Sequence, residues 1–234
     1  MKAKFSFIAL LILITSCSSS SDALPQEEIS APNNSTNLSY LALGDSYTIG
    51  ESVEERMRWP VQLTAELRSK GLAVNDPKII AKTGWTTQNL LNAMEANLGN
   101  EKYDLVSVLI GVNNQYQNRS IEEFEADLNT IFNEAINLSK NSEKGVFVVS
   151  IPDYGATPFG ANNAEAIGRE IAEYNDVLLK VATEFNLDFY DITPISKKAK
   201  SDPSLVAGDG LHPSGKMYTL WVESFLEKVL VKLQ

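Results

Sequence analysis

Leu105-Val106-Ser107-Val108-Leu109-Ile110-Gly111-Val112-Asn113-Asn114 begins with a run of five apolar residues and one serine, then turns at a glycine into two amides. The run is too short for a core helix, and its apolar residues are continuous where a half-exposed strand would alternate. That pattern fits a parallel strand covered on both faces. Val146-Phe147-Val148-Val149-Ser150-Ile151 has the same character. Outward from these two, residues 40–43, 78–81 and 188–190 read as further short strands. Helical periodicity fills the intervals over residues 59–69, 87–98, 120–139, 165–185 and 213–233. In the third of these, Ile121, Phe124, Leu128, Ile131, Phe132 and Ala135 share one face, Ser120 and Glu123 suggest a capping box, and Lys144-Gly145 is a stop signal. Alternating β and α units predict one α/β domain over residues 39–234, a three-layer α/β/α sandwich around a mostly parallel five-stranded sheet. Ligands of such sheets bind at the carboxyl ends of the strands, so the residues following each strand are the candidates for chemistry.

The first 38 residues have a different composition. Lys2 and Lys4 precede the apolar run Phe5 to Ile14, and Thr15-Ser16-Cys17 follows. This is the layout of a secretory signal, and its apolar stretch falls well short of the roughly 20 residues that span a bilayer. The sole cysteine stands at the cleavage point and resembles a bacterial lipobox. That resemblance implies removal of residues 1–16, lipidation of Cys17 and a membrane-anchored exported lipoprotein, with Ser18 and Ser19 favouring the outer membrane. Residues 18–38, rich in Ser, Asn, Pro and acidic side chains, read as a flexible tether with a root-mean-square span of about 25 Å.

Composition narrows the function. The 234 residues carry 20 Lys+Arg against 30 Asp+Glu, a formal charge of −10, and loss of residues 1–16 makes the balance more acidic still. Nothing here attracts a nucleic acid. One Cys and one His leave too few ligands for ordinary zinc, copper, haem or iron–sulfur sites. Neither G-x-S-x-G nor G-x-G-x-x-G occurs, and Gly210 to Lys216 approaches a phosphate loop but continues into Met217. No cofactor and no metal are expected.

The residues after the strands are more informative. Gly44-Asp45-Ser46-Tyr47-Thr48 puts a serine on a glycine-bearing turn; Thr83-Gly84-Trp85 follows the second strand, and Gly111-Val112-Asn113-Asn114 the third. A serine nucleophile needs a base, and the only histidine is His212, in Asp209-Gly210-Leu211-His212-Pro213. Asp209, three residues earlier, is placed to fix its tautomer. Pro213 suits a first helical position, so His212 is expected at the mouth of the last helix.

These four blocks resemble the SGNH, or GDSL, hydrolases, a family of esterases and lipases, over essentially Tyr40 to the C-terminal helix. The resemblance implies a flavodoxin-like fold in which Ser46 attacks an acyl carbon, His212 shuttles the proton and Asp209 orients His212. It also implies an oxyanion hole built from the N–H groups of Ser46 and Gly84 and the amide of Asn113. Asn114 stands where the family usually has Asp, and Tyr47-Thr48 where many members have Leu-Ser.

Tyr47, Trp85, Tyr116, Tyr154 and Phe159 are the expected substrate-binding residues; Trp59 reads as framework. Apolar walls would suit an acyl chain of a short ester or lysophospholipid, whereas flat aromatics would also stack an acylated glycan. Three readings follow: a lipoprotein esterase, a carbohydrate O-deacetylase, and a non-catalytic binding lipoprotein. The intact Ser46, Gly84, Asn113, Asp209 and His212 speak against the last.

Overall fold

The computed structural model describes residues 37–233, so the signal, Cys17 and nearly all of the tether lie outside the described residues. Five strands, β1 (Tyr40–Gly44), β2 (Lys78–Ala81), β3 (Leu105–Leu109), β4 (Val146–Val149) and β5 (Asp188–Tyr190), form one all-parallel sheet in the order β2-β1-β3-β4-β5. This is the flavodoxin-like order, and its switch point lies between β1 and β3. Both of these strands are buried along their whole length, with the Tyr40 hydroxyl and Ser107 Oγ hydrogen-bonded across them at 2.8 Å.

The helices are α1 (Ser46–Ile49), α2 (Trp59–Ser69), α3 (Thr87–Asn97), α4 (Val112–Tyr116), α5 (Ile121–Leu138), α6 (Ala164–Glu184), α7 (Thr193–Ser196) and α8 (Gly215–Lys232). α2 and α8 cover one face of the sheet. There Trp59 meets Phe225 edge-on at 6.1 Å and Phe147 of β4 at 6.3 Å. α3, α5 and α6 cover the other face, where Phe124 packs on Tyr174 at 4.9 Å. Phe124, Leu128, Ile131, Phe132 and Ala135 of α5 are all fully buried, so the predicted stripe is the core face.

The α5 bounds agree with the expected 120–139, but two of its terminal signals and the start of α8 differ from expectation. α5 stops at Leu138, where Ser139 caps it and pairs with Tyr103 in an isolated bridge; Ser142–Gly145 is only a separate 3-10 turn. At the start of α5, Ser120 Oγ accepts from the Glu123 N–H at 3.1 Å, but the Glu123 carboxylate turns to Arg119 and leaves the box half made. α8 starts at Gly215 under a Ser214 cap. Pro213 instead lies in an antiparallel bridge with Val206, where the His212 carbonyl accepts from the Ala207 N–H and the Ser214 N–H donates to the Leu205 carbonyl, so the N–H that proline lacks is not called on. His212 therefore sits on a bend next to that bridge and two residues before the helix cap, not in the helix mouth.

Candidate active site

β1 ends in Gly44, whose missing side chain matters sterically: a Cβ there would collide with Thr48 Oγ1 and the Leu109 carbonyl. The chain turns at once into α1, with Asp45 as N-cap and Ser46 as first helical residue. Neither the Ser46 N–H nor the Gly84 N–H is hydrogen-bonded within the described residues. The free Ser46 donor follows from its place in a first helical turn. Gly84 holds φ at +85°, a left-handed conformation that strains other residues, while the space around it is open. Its conformation, not crowding by the protein, is the reason for glycine.

At the end of β3, Asn113 lies in the first turn of α4 and its Nδ2 donates to the Trp85 carbonyl at 3.0 Å. One amide N–H is thereby tied down, which orients the second. The neighbouring Asn114 is fully buried: its Oδ1 accepts from the Thr87 N–H at 3.0 Å and its Nδ2 donates to Thr87 Oγ1 at 2.7 Å. Thr87 passes its single hydroxyl proton to Asp127 at 2.5 Å. An Asp at 114 would ask for the same proton, so Asn is the side chain that completes this chain.

On the last loop, Asp209 Oδ2 accepts from His212 Nδ1 at 2.6 Å and from Ser52 Oγ at 2.6 Å, while Oδ1 accepts from the Leu211 and His212 N–H groups at 2.9 and 3.0 Å. Partial burial works to raise the Asp209 carboxyl, but the Ser52 hydroxyl, the His212 ring and the two amides outweigh it and hold it well below the usual carboxylate range. Ser52 was not singled out from sequence. It follows α1 and has φ of +65°, and no motif marks it.

Ser46, Gly84, Asn113 and His212 line one cleft of about 180 Å³ with Tyr47, Thr83, Val112, Tyr116, Tyr154, Phe159 and Leu211. Ser46 and His212 face that common space without a hydrogen bond between their side chains, a spacing usual before substrate binds. Of the five expected substrate-binding residues, four border the cleft. Tyr47, however, is 3% exposed and packs edge-on against the His212 ring at 5.7 Å, so it backs the histidine. Trp85 does not line the cleft; it contributes its carbonyl, and its ring packs against the core.

Beneath the serine lies a buried carboxyl. Asp45 is fully buried, its Oδ1 accepts from the Tyr47 N–H at 3.0 Å, and its Oδ2 has no partner. Burial pushes this carboxyl up to about 7 against the pull of that N–H. The unfolded chain ionises near pH 4 and the native chain only near 7, so stability is lost as pH rises through that window and is level above it. In Asp45→Asn that loss disappears: denaturant melts at pH 4, 7 and 9 should show the variant gaining on wild type by on the order of 3 kcal/mol between pH 4 and 7, with no further gain at 9.

A buried serine at the carboxyl end of β1 and a carboxylate-held histidine thus line one cleft at the switch point of a flavodoxin-like sheet, with the Ser46 and Gly84 N–H groups left without partners among the described residues. Residues 42–220, well over half the chain, match the model of the GDSL-like Lipase/Acylhydrolase family, and the chain belongs to that family. Comparison with curated proteins gives no match. Among solved structures, the lipase/acylhydrolase from Enterococcus faecalis is similar at TM-score 0.66 and 22% identity, over 84% of this chain and 97% of that one. Axe2, an acetylxylan esterase from Geobacillus stearothermophilus, is similar at 0.64 and 21%, over 82% and 94%. TesA is similar at 0.62 and 19%, over 84% and 99%. At these identities the likeness is one of fold, and the protein is an esterase- or acylhydrolase-type member of its family.

Proposed function

We propose that the protein is a serine esterase that cleaves short-acyl carboxylic esters through an acyl-enzyme. The observation that carries this reading is the gathering of Ser46, His212, Gly84 and Asn113 around one cleft, with Asp209 on the far nitrogen of the histidine. In this mechanism Ser46 Oγ attacks the acyl carbon and gives its proton to His212 Nε2. Asp209 stays ionised and accepts the hydrogen bond from the Nδ1–H throughout. The negative charge that develops on the carbonyl oxygen is met by the N–H groups of Ser46 and Gly84 and the second Asn113 N–H. His212 then protonates the leaving alcohol. Water attacks the acyl-enzyme with His212 as base, and the carboxylic acid departs.

The size of the cleft favours short acyl groups. A cavity of about 150 Å³ accommodates benzene, so one of about 180 Å³ suits an acyl group of a few carbons. Lysophospholipid-type esters would have to leave most of their chain outside it. The test is a series of 4-nitrophenyl esters from acetyl to dodecanoyl, combined with a fluorophosphonate label. Rates should peak at four carbons or fewer and the label should map to Ser46; a maximum at eight or more carbons, or a label elsewhere, overturns the reading. Asn113→Ala should lower kcat by about 10²–10³ with a much smaller change in KM, because the lost donor acts mainly on the transition state.

We also propose that the chain is exported and lipidated at Cys17, tethering the domain near a membrane. Lys2, Lys4 and the apolar run before Cys17 support this, and among the described residues no helix is long and apolar enough to cross a membrane. Metabolic labelling with an alkyne fatty acid should mark the wild type and not Cys17→Ser.

A further inference from the structure

Beyond the cleft lies a second groove. It shares Tyr116, Tyr154 and Phe159 with the first, then continues past Gln115, Asn163 and Glu170, with a volume of about 370 Å³. The three rings form a ridge between the two spaces, with centroids 6.2–6.3 Å apart. Tyr154 is buried and supports the others, while Tyr116 and Phe159 are 57% and 52% exposed. The two exposed rings are neighbours, and a contiguous apolar patch at the rim of a cleft is a mark of a ligand-binding groove.

The two spaces differ in chemistry. On the serine side the walls are Val112, Leu211 and the rings. Past the ridge, Glu170 Oε2 accepts from Gln115 Nε2 at 2.6 Å, which leaves its other oxygen as an acceptor, and the exposed Asn163 side chain has no partner among the described residues. An ester places its acyl part on one side of the reacting carbon and its alcohol on the other. The small apolar cleft suits the first and the larger polar groove the second. Flat ring faces with amide and carboxylate groups along one side match a pyranose or furanose ring, which has apolar C–H faces and hydroxyl edges. The Glu170 carboxylate and the net charge of −10 disfavour an anionic sugar or an anionic lipid headgroup. A quaternary ammonium calls for rings arranged around a void, whereas these three lean on one another.

We propose that this groove binds the alcohol portion of the substrate and that this portion is a neutral sugar, so that the protein removes short acyl groups from a neutral glycan. The proposal rests on the esterase reading above and assigns its substrate class.

The test compares kcat/KM on glucose pentaacetate, 4-nitrophenyl acetate and acetylcholine in wild type, Glu170→Gln and Ala166→Trp. Ala166 lines the groove but not the cleft, so tryptophan there fills the groove alone. The ratio of sugar acetate to aryl acetate should fall at least tenfold in Ala166→Trp and severalfold in Glu170→Gln, with melting temperatures within a few degrees of wild type. An unchanged ratio, or a fall confined to acetylcholine, overturns the proposal. If the protein hydrolyses none of the three, the esterase reading fails by itself, and calorimetry with cellotetraose decides the groove. Binding abolished by Ala166→Trp supports a sugar site, and no binding to the wild type overturns it.

Discussion

Ser46→Ala should lower kcat/KM on 4-nitrophenyl acetate by about 10⁵-fold or more, leaving only the slow hydrolysis that the oxyanion donors and substrate binding provide. The reason is that Ser46 is the serine that shares the cleft with His212, whereas Thr83, the other aliphatic hydroxyl there, donates its proton to Glu51 and not to the histidine. The variant should also be structurally silent. Ser46 Oγ makes no hydrogen bond in the described structure and alanine suits a helical turn, so stability should stay within about 0.5 kcal/mol of wild type. Steady-state kinetics and a thermal melt on the same sample check both halves. A residual rate within a hundredfold of wild type would remove Ser46 from the mechanism.

The second large effect is Asp209→Asn, for which kcat should fall by about 10⁴. The backbone decides how the new amide lies. The Leu211 and His212 N–H groups require an acceptor at the Oδ1 position, so the asparagine NH₂ must take the Oδ2 position and face His212 Nδ1. His212 Nδ1 then accepts a hydrogen bond, its proton moves to Nε2, and the nitrogen that should take the Ser46 proton is already occupied. Nitrogen NMR of the His212 ring would show this exchanged tautomer, and an unchanged tautomer with full activity would sink the argument. Stability carries the opposite pH signature to Asp45. Because the native Asp209 carboxyl is held low, its contribution is present above the unfolded value near pH 4 and fades as pH falls below it. The difference in melting temperature between wild type and Asp209→Asn should therefore shrink in acid.

Placement set by neighbouring residues was legible in the sequence, and contacts made across the fold were not. β1 and β3 could be read because two-sided burial demands unbroken apolar runs, and Ser46, Gly84, Asn113 and His212 because each follows a strand or precedes the last helix. Ser52 could not be found: its hydroxyl reaches Asp209 from the other end of the chain, and no local pattern encodes that contact. Tyr47 and Trp85 show a subtler limit. Adjacency to Ser46 and Gly84 placed their backbones correctly, but side-chain direction, set by the turn geometry, sends one ring behind the histidine and the other toward the core. The apparent departure Asn114 needed Thr87 and Asp127 in view before its choice made sense. At α8, the helix starts after Ser214, not at Pro213, because the Ser214 hydroxyl can accept the Met217 N–H.

The serine and the histidine enter the site from far apart in the chain, and the histidine comes just before α8, which packs against α2. A ribosome-bound chain thus carries Ser46, Gly84 and Asn113 for most of its synthesis but has no histidine to set beside them. The enzyme is born inert, and its first turnover must wait for its last helix.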